Sequence, residues 1–263
     1  MRLTVLGCSG GIGARARTTS FLVDDDLLLD AGTGVEDLSV TEIAAIDHVF
    51  LTHSHLDHVC TLPFMVDSTG ALRERPVVVH ALPETIAALK AHIFNWVIWP
   101  DFTEIPHFER PWLTFEPITV GGVVHIDAPD KPRRTIRALP ANHTVPALGY
   151  QLSDAGGSLV FSGDTSPNDD FWRLVNTIPD LRVLIIETAF ANKERDLAVL
   201  AKHLFPIQLG QELQKLQRDA QVLITHLKPA DQALIEKEID AWAGRFAPRV
   251  LQCGDVIEVA PPT

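Results

Sequence analysis

Cysteine is scarce in this chain. Cys8, Cys60 and Cys253 are its only three. An odd number, widely scattered and without a Cys-x-x-Cys pair, argues against a disulfide framework and for reduced thiols in a cytoplasmic protein. Positive charge is also short: 22 Lys and Arg stand against 34 Asp and Glu, a net charge of −12. Such a surface repels a phosphate polymer, so a grip on long nucleic acid is not expected. Arg15, Arg17, Arg133, Arg134 and Arg137 read mainly as parts of solvated faces. No apolar run reaches the ~18 residues of a membrane span. The N-terminus enters a strand-like stretch at 3–6 without a charged-then-apolar leader pattern. Low-complexity tracts and linkers are missing too, which leaves 1–263 as one domain.

What is present is an ordinary globular balance, 46% hydrophobic and 21% charged, with length enough for a large core. Short apolar strand candidates recur at 2–6, 20–23, 27–30, 48–52, 77–80, 112–115, 123–126, 135–139, 148–152, 158–162, 182–186, 221–225 and 255–259. The acidic turn Asp24-Asp25-Asp26 joins the second and third. Helical signals interleave with the strands. Pro83 opens a run carrying Ile86, Leu89 and Ile93, and Ser166-Pro167 reads as a cap and first turn leading to Phe171. Leu209, Leu213 and Leu216 form one core-facing stripe; Ile235, Ile239 and Trp242 form another, stopped by Gly244. Strands first, then strands alternating with helices, suit two mixed sheets packed face to face with helices outside. The glycine-rich segment 7–13 matches neither a dinucleotide fingerprint nor a P-loop, and reads as a turn lining a site.

The densest chemistry lies at His53-Ser54-His55-Leu56-Asp57-His58, directly after the apolar run 49–52. Imidazole and carboxylate are the N and O donors that a borderline-soft divalent cation prefers. His143, Asp164 and His226 each follow a further strand candidate. Several strand ends sharing one ligand chemistry point to a single metal centre at one edge of a sheet. Cys60, two residues past the cluster, reads as a small buried residue. His48, His80, His92, His107 and His125 have no visible partner and are not assigned to metal.

The intact H-x-H-x-D-H motif, with His143, Asp164 and His226 in the same order, resembles the metallo-β-lactamase superfamily. The resemblance implies an α/β, four-layer αβ/βα sandwich with two divalent ions. His53, His55 and His143 would hold the first; Asp57, His58 and His226 the second; Asp164 would bridge. Zinc is the default, and manganese or iron also suit an N/O set. Two such ions ~3.5–4 Å apart acidify a water between them and stabilise charge that grows in the transition state. Asp57 would orient that water, so hydrolysis is the implied reaction.

Within the superfamily, segments 82–86, 92–102, 186–190, 202–206 and 224–229 resemble the class II 3′,5′-cyclic-nucleotide phosphodiesterases. That resemblance implies conversion of a cyclic nucleotide, such as cyclic AMP or cyclic GMP, to its 5′-monophosphate. His203 matches the His of the group's Gly-His-Leu-Thr-Pro stretch and would protonate the leaving oxygen, with Glu187 orienting it. Asn95 and Trp96 are candidates for contact with base or ribose. Lys202 and Phe205 replace the Gly and Thr of that stretch, and Val59-Cys60 stands where the group carries a Gly. The partner is then a small anionic substrate, with room for a homodimer. The alternatives are a tRNA-processing endonuclease of the same superfamily, whose RNA-holding arm is not visible here, and an ester, thioester or lactone hydrolase. A non-catalytic binding module is disfavoured by the complete ligand set.

Overall fold

In the computed structural model, which describes residues 1–128 and 131–260, the strands form two seven-stranded sheets and one short hairpin. Strands β1 (Arg2–Gly7), β2 (Ser20–Val23), β3 (Leu27–Leu29), β4 (His48–Phe50) and β5 (Val77–Ala81) start the first sheet. The hairpin β6 (Pro106–His107) and β7 (Arg110–Pro111) precedes β8 (Leu113–Pro117), which ends one edge of that sheet. The second sheet holds β9 (Val123–Ala128), β10 (Lys131–Pro140), β11 (Leu148–Asp154), β12 (Gly157–Phe161), β13 (Leu181–Glu187), β14 (Gln221–Thr225) and β15 (Arg249–Val250). The last strand, β16 (Val256–Glu258), returns to pair antiparallel with β1.

Each sheet is antiparallel in one half and parallel in the other. The parallel runs are β3-β4-β5-β8 and β12-β13-β14-β15. Strands such as β3 and β13 within these runs are covered on both faces, which is why they read as unbroken apolar runs, Leu27-Leu28-Leu29 and Val183-Leu184-Ile185-Ile186. Alternation then sorts the side chains. Leu27, Leu29 and Phe50 meet Ile136, Tyr150, Phe161 and Ile185 between the sheets. Leu28 and Val49 instead face α1 (Val40–Ala45) and α3 (Leu62–Thr69), through Ile43, Leu62 and Val66. On the other side Leu184, Ile186 and Ile224 pack on α5 (Asp169–Val175), α7 (Pro206–Leu213) and α8 (Gln232–Ala243). The result is the expected four-layer αβ/βα sandwich. Tyr150 ties its middle layers together by donating to the Leu51 carbonyl at 2.7 Å.

Local details depart from expectation for physical reasons. The cap of α5 is Asn168, whose side chain accepts from Phe171 N; the helix starts at Asp169, two residues later than Ser166-Pro167 suggests, and the Ser166 hydroxyl donates to Asn142 O. Trp242 is 54% exposed and lies outside the α8 stripe. Arg134 belongs to no solvated face: it is fully buried and bonds Asp26 and Asp24 of the acidic turn, linking the sheets at the end where β3 begins. No helix among the described residues is long and apolar enough to cross a membrane.

Candidate metal centre

The carboxyl ends of the parallel strands converge on one edge of the sandwich, the usual place for chemistry in such sheets. There the loop after β4 carries His53 and His55, and the short helix α2 (Leu56–Val59) carries Asp57 and His58. His143 lies beyond β10, Asp164 beyond β12, and His226 beyond β14. Residues spread over more than 170 positions thus meet at one point.

Their donor atoms are spaced as a metal polyhedron requires. His53, His55 and His143 form one group of mutually close donors, and Asp57, His58 and His226 form another. His143 Nε2 lies 3.1 Å from His55 Nδ1. Asp164 Oδ2 lies 3.2 Å from His58 Nε2, 3.4 Å from His226 Nε2 and 3.7 Å from His53 Nε2, so it spans both groups. Asp57 Oδ2 stands 3.9 Å from His58 Nε2 and 3.8 Å from His226 Nε2. In a tetrahedral site with metal–nitrogen bonds of ~2.0–2.1 Å, neighbouring donors lie about 3.3 Å apart. His53 Nε2 and His58 Nε2 are moreover buried without any hydrogen-bond partner. Orphaned buried nitrogens aimed at one another are costly unless a cation lies between them, so the residues fit divalent metal.

A second ring of groups fixes which nitrogen faces inward. Asp30, at the end of β3 and fully buried, bonds His58 Nδ1 at 2.8 Å and accepts from both the amide and the hydroxyl of Thr52. Thr52 Oγ1 contacts His53 Nδ1 at 2.9 Å, Thr19 Oγ1 contacts His226 Nδ1 at 3.2 Å, and Lys202 O accepts from His143 Nδ1 at 3.1 Å. Asp30 was open to sequence reasoning, since it ends an apolar strand as Asp164 does. Thr19, and a backbone carbonyl at Lys202, carry no such signal. Asp30, Lys202 and His226 all hold left-handed backbone, a strain of about 1 kcal/mol or more each for such residues.

Electrostatics agree with ligation. Burial pushes the pKa of His143 down to about 4 and that of His226 to about 3, and holds His53 far below its ordinary value. These imidazoles therefore offer free lone pairs at neutral pH. His58 differs: burial opposes its charge, but Asp164 and Asp30 outweigh that and raise its pKa well above normal. A cation at Nε2 would displace that proton while Asp30 retains the one on Nδ1.

His203 and Glu187 complete the neighbourhood. Glu187, the last residue of β13, is fully buried and its Oε1 meets His203 Nδ1 at 2.8 Å while accepting from Thr165 N. The His203 ring stacks on His226 at 5.2 Å and meets His143 edge-on at 4.9 Å. Burial disfavours the imidazolium there, yet the Glu187 carboxylate overrides it and lifts the His203 pKa. Two of the residues that depart from the family pattern also have places. Lys202 donates its ammonium to the His143 carbonyl at 3.0 Å, and Phe205 packs with Ala189, Phe190 and Ala198 beneath His203. The glycine-rich turn does line the site: a Cβ on Gly10 would stand 2.9 Å from His226 Cδ2.

The segment 92–102 is organised differently. Asn95 points its side chain into its own turn, donating to Ala91 O and accepting from Val97 N and Ile98 N. Trp96 is 60% exposed at the tip of that turn and takes no part in the donor cluster.

A family description, "Beta-lactamase superfamily domain", matches residues 26–227, which include every residue of the donor cluster. The chain belongs to this superfamily. As a member it is a metal-dependent hydrolase, and its donor cluster lies where the matched region folds. Among superfamily relatives, a protein of Yersinia pestis named probable 3′,5′-cyclic-nucleotide phosphodiesterase is 26% identical over 279 aligned residues, covering 88% of this chain and 79% of that one. A ribonuclease Z of Haloarcula marismortui is 30% identical over 161 residues, covering 59% of this chain and 48% of the relative, about half its length. The structure of unliganded yeast PDE1 superposes with a TM-score of 0.78 at 19% identity, covering 97% of this chain and 98% of that chain, a likeness of fold.

Proposed function

We propose that this superfamily member is a phosphodiesterase that opens 3′,5′-cyclic nucleotides to 5′-monophosphates, using two divalent cations and His203 as proton donor. The observation that carries the reading is the buried Glu187–His203 pair standing against the His143–Asp164–His226 side of the donor cluster. The 88% coverage by a relative named as such a phosphodiesterase supports the substrate class.

His53, His55 and His143 would hold one cation, Asp57, His58 and His226 the other, with Asp164 between them. Bound there, zinc or a similar ion supplies Lewis acidity toward a phosphoryl oxygen and toward water. The remaining work falls to side chains. Asp57, half-buried with one carboxylate edge toward the cluster, accepts a hydrogen bond from the attacking water and aims it at phosphorus. Glu187 keeps the Nδ1 proton of His203 in place and stabilises the imidazolium, leaving the opposite nitrogen to protonate the departing 3′-oxygen. An alkoxide leaves poorly without that proton, and general-acid help of this kind supplies ~10²–10⁴ in rate. Trp96 at its exposed turn is positioned by Asn95 and offers an aromatic face to a base, so Asn95 acts through the turn.

The ribonuclease Z match favours a second reading, cleavage of an RNA phosphodiester on the same residues. One assay panel separates them: cyclic AMP, cyclic GMP, an aryl phosphodiester, a precursor tRNA and a lactone, each with zinc- and manganese-loaded protein. Turnover of the cyclic nucleotides well above the precursor tRNA is the result anticipated. Cleavage of the RNA alone, or of the lactone alone, would sink the proposal.

A further inference from the structure

The turn after β1 is laced to the strand end that carries His226. Cys8 O accepts the His226 amide at 2.7 Å, Gly10 N donates to Leu227 O at 3.0 Å, and the Ser9 hydroxyl donates to the same carbonyl at 3.2 Å. Lys228 closes the lacing. Its amide donates to Ala189 O at 2.9 Å and its ammonium to Gly10 O at 2.5 Å. Two contacts fix where that ammonium stands. A Cβ on Gly10 would lie 3.1 Å from His226 Nε2, so Gly10 flanks a donor nitrogen of the cluster. Lys228 Nζ also lies 5.7 Å over the ring of Phe190, which in turn meets the His203 ring edge-on at 5.7 Å. The ammonium is thus held at the rim between His226 and His203. An ammonium carries three donors, and Gly10 O is the acceptor that this one meets among the described residues. No carboxylate pairs with it there; nearby Asp231 is engaged by Lys193 at 2.7 Å. Lys202 differs, since the His143 carbonyl and Asn142 Oδ1 both take its ammonium.

We propose that Lys228 is a phosphoryl-binding residue, whose free ammonium donors hold a non-bridging oxygen of the phosphodiester beside the donor cluster. This role rests on the phosphodiesterase reading of the site, and it is the same for a cyclic nucleotide and for an RNA strand. Charge makes such a residue necessary. Asp30, Asp57, Asp164 and Glu187 crowd the centre, and the whole chain carries −12. An arriving anion therefore needs positive charge beyond what two cations offset on these carboxylates. A half-buried ammonium with donors to spare supplies it where water screens only in part. Its four-carbon stem lets the charge follow a phosphoryl oxygen, as a rigid guanidinium fork would not. The bond to Gly10 O and the face of Phe190 hold the stem in place beforehand, which lowers the ordering cost of binding. A non-bridging oxygen is present in substrate and transition state alike, so the contact governs KM more than kcat.

Titration calorimetry of inorganic phosphate into zinc-loaded protein tests the role, with Lys228→Met and Lys228→Arg beside the natural chain. Met keeps an unbranched stem and removes the donors; Arg restores a cation. Phosphate binding should weaken by about 10–100-fold in Lys228→Met and return to within roughly fivefold in Lys228→Arg, with zinc content unchanged in both. For any phosphodiester turned over, KM should rise by a similar factor while kcat moves less than about threefold. Unaltered phosphate affinity in Lys228→Met overturns the proposal. A loss that tracks falling zinc content overturns it too, because Lys228 would then be only a brace for the Gly10 turn. So does a natural chain that binds no phosphate. Calorimetry reads the phosphoryl contact directly, so a failure to turn over cyclic nucleotides would refute the substrate assignment and leave this result standing.

Discussion

Replacing Glu187 by Gln removes one charge and almost no volume, and so isolates what that charge does. The carboxylate is fully buried, bonds His203 Nδ1 at 2.8 Å and accepts from Thr165 N at 3.0 Å. An amide oxygen can keep both contacts, so the ring stays placed. What disappears is the attraction between a carboxylate and an imidazolium about 4 Å apart, worth about 4 kcal/mol at an effective dielectric near 20. The His203 pKa then drops, since burial, which already opposes its charge, is no longer overridden. The Gln amide nitrogen inherits the place of Glu187 Oε2, which has no partner, and leaves an unpaired donor costing about 1–3 kcal/mol of stability. With a cyclic nucleotide, whose leaving alkoxide needs a proton, kcat should fall by ~10²–10³ with KM little changed. With a p-nitrophenyl phosphodiester, whose leaving group needs none, the loss should stay within about threefold. Steady-state kinetics on both substrates, with melting temperature and zinc content as controls, decide the matter. Equal losses on the two substrates would refute a role in proton donation and leave Glu187 as a structural residue.

Three other perturbations follow from the same geometry. Asp30→Asn keeps a hydrogen bond to His58 but removes its charge; metal analysis after dialysis should show affinity at one site down by about 10–100-fold, with the other site retained. Arg134→Ala removes the buried guanidinium from Asp26 and Asp24 at the far end of the sandwich and leaves Asp26 with Lys131 at 3.1 Å, so denaturant melts should show about 3 kcal/mol lost while zinc content is unchanged. His80 lies against Phe50 and His48, and burial depresses its pKa to about 4. The unfolded chain therefore binds the extra proton first, and stability present above pH ~6.5 is lost as pH falls toward 4, by up to about 3 kcal/mol. His80→Phe should flatten that slope in melts at pH 7 and pH 5, and an unchanged slope would remove His80 as its source.

The strands and the donor residues were legible because they obey rules that act locally. A strand buried on both faces must be apolar throughout, and a donor that ends such a strand stands out against it. The supporting groups are written in three dimensions instead. Thr19 is an ordinary strand-edge threonine until its hydroxyl meets His226 across the fold, and the Lys202 carbonyl that holds His143 is common to every residue type. Arg134 looks like its solvated neighbour Arg133, which pairs with Asp127 on the surface; only the packing of β10 against the acidic turn separates the two. Short elements such as α2 and β15 lie below the length at which a periodic pattern can be read. The cap at Asn168 escaped because Ser166 and Asn168 are equally good caps by type, and only the start of α5 at Asp169 chooses between them.

The contact between Cys8 and His226 has a consequence for the birth of the protein. The amide of His226 rests on the carbonyl of Cys8, and Ser9 bonds Leu227 across 218 positions of sequence. The turn after β1 is thus a wall of the pocket that His226 must enter, and it is made long before that residue. The first of the two proposed cation sets is closed by His143, but the second waits until synthesis has passed His226 and that residue has come back against Cys8. Metal loading at that proposed set is accordingly expected to follow synthesis of everything from β1 to β14, and a truncation before β14 would leave the earlier donors facing a half-built site.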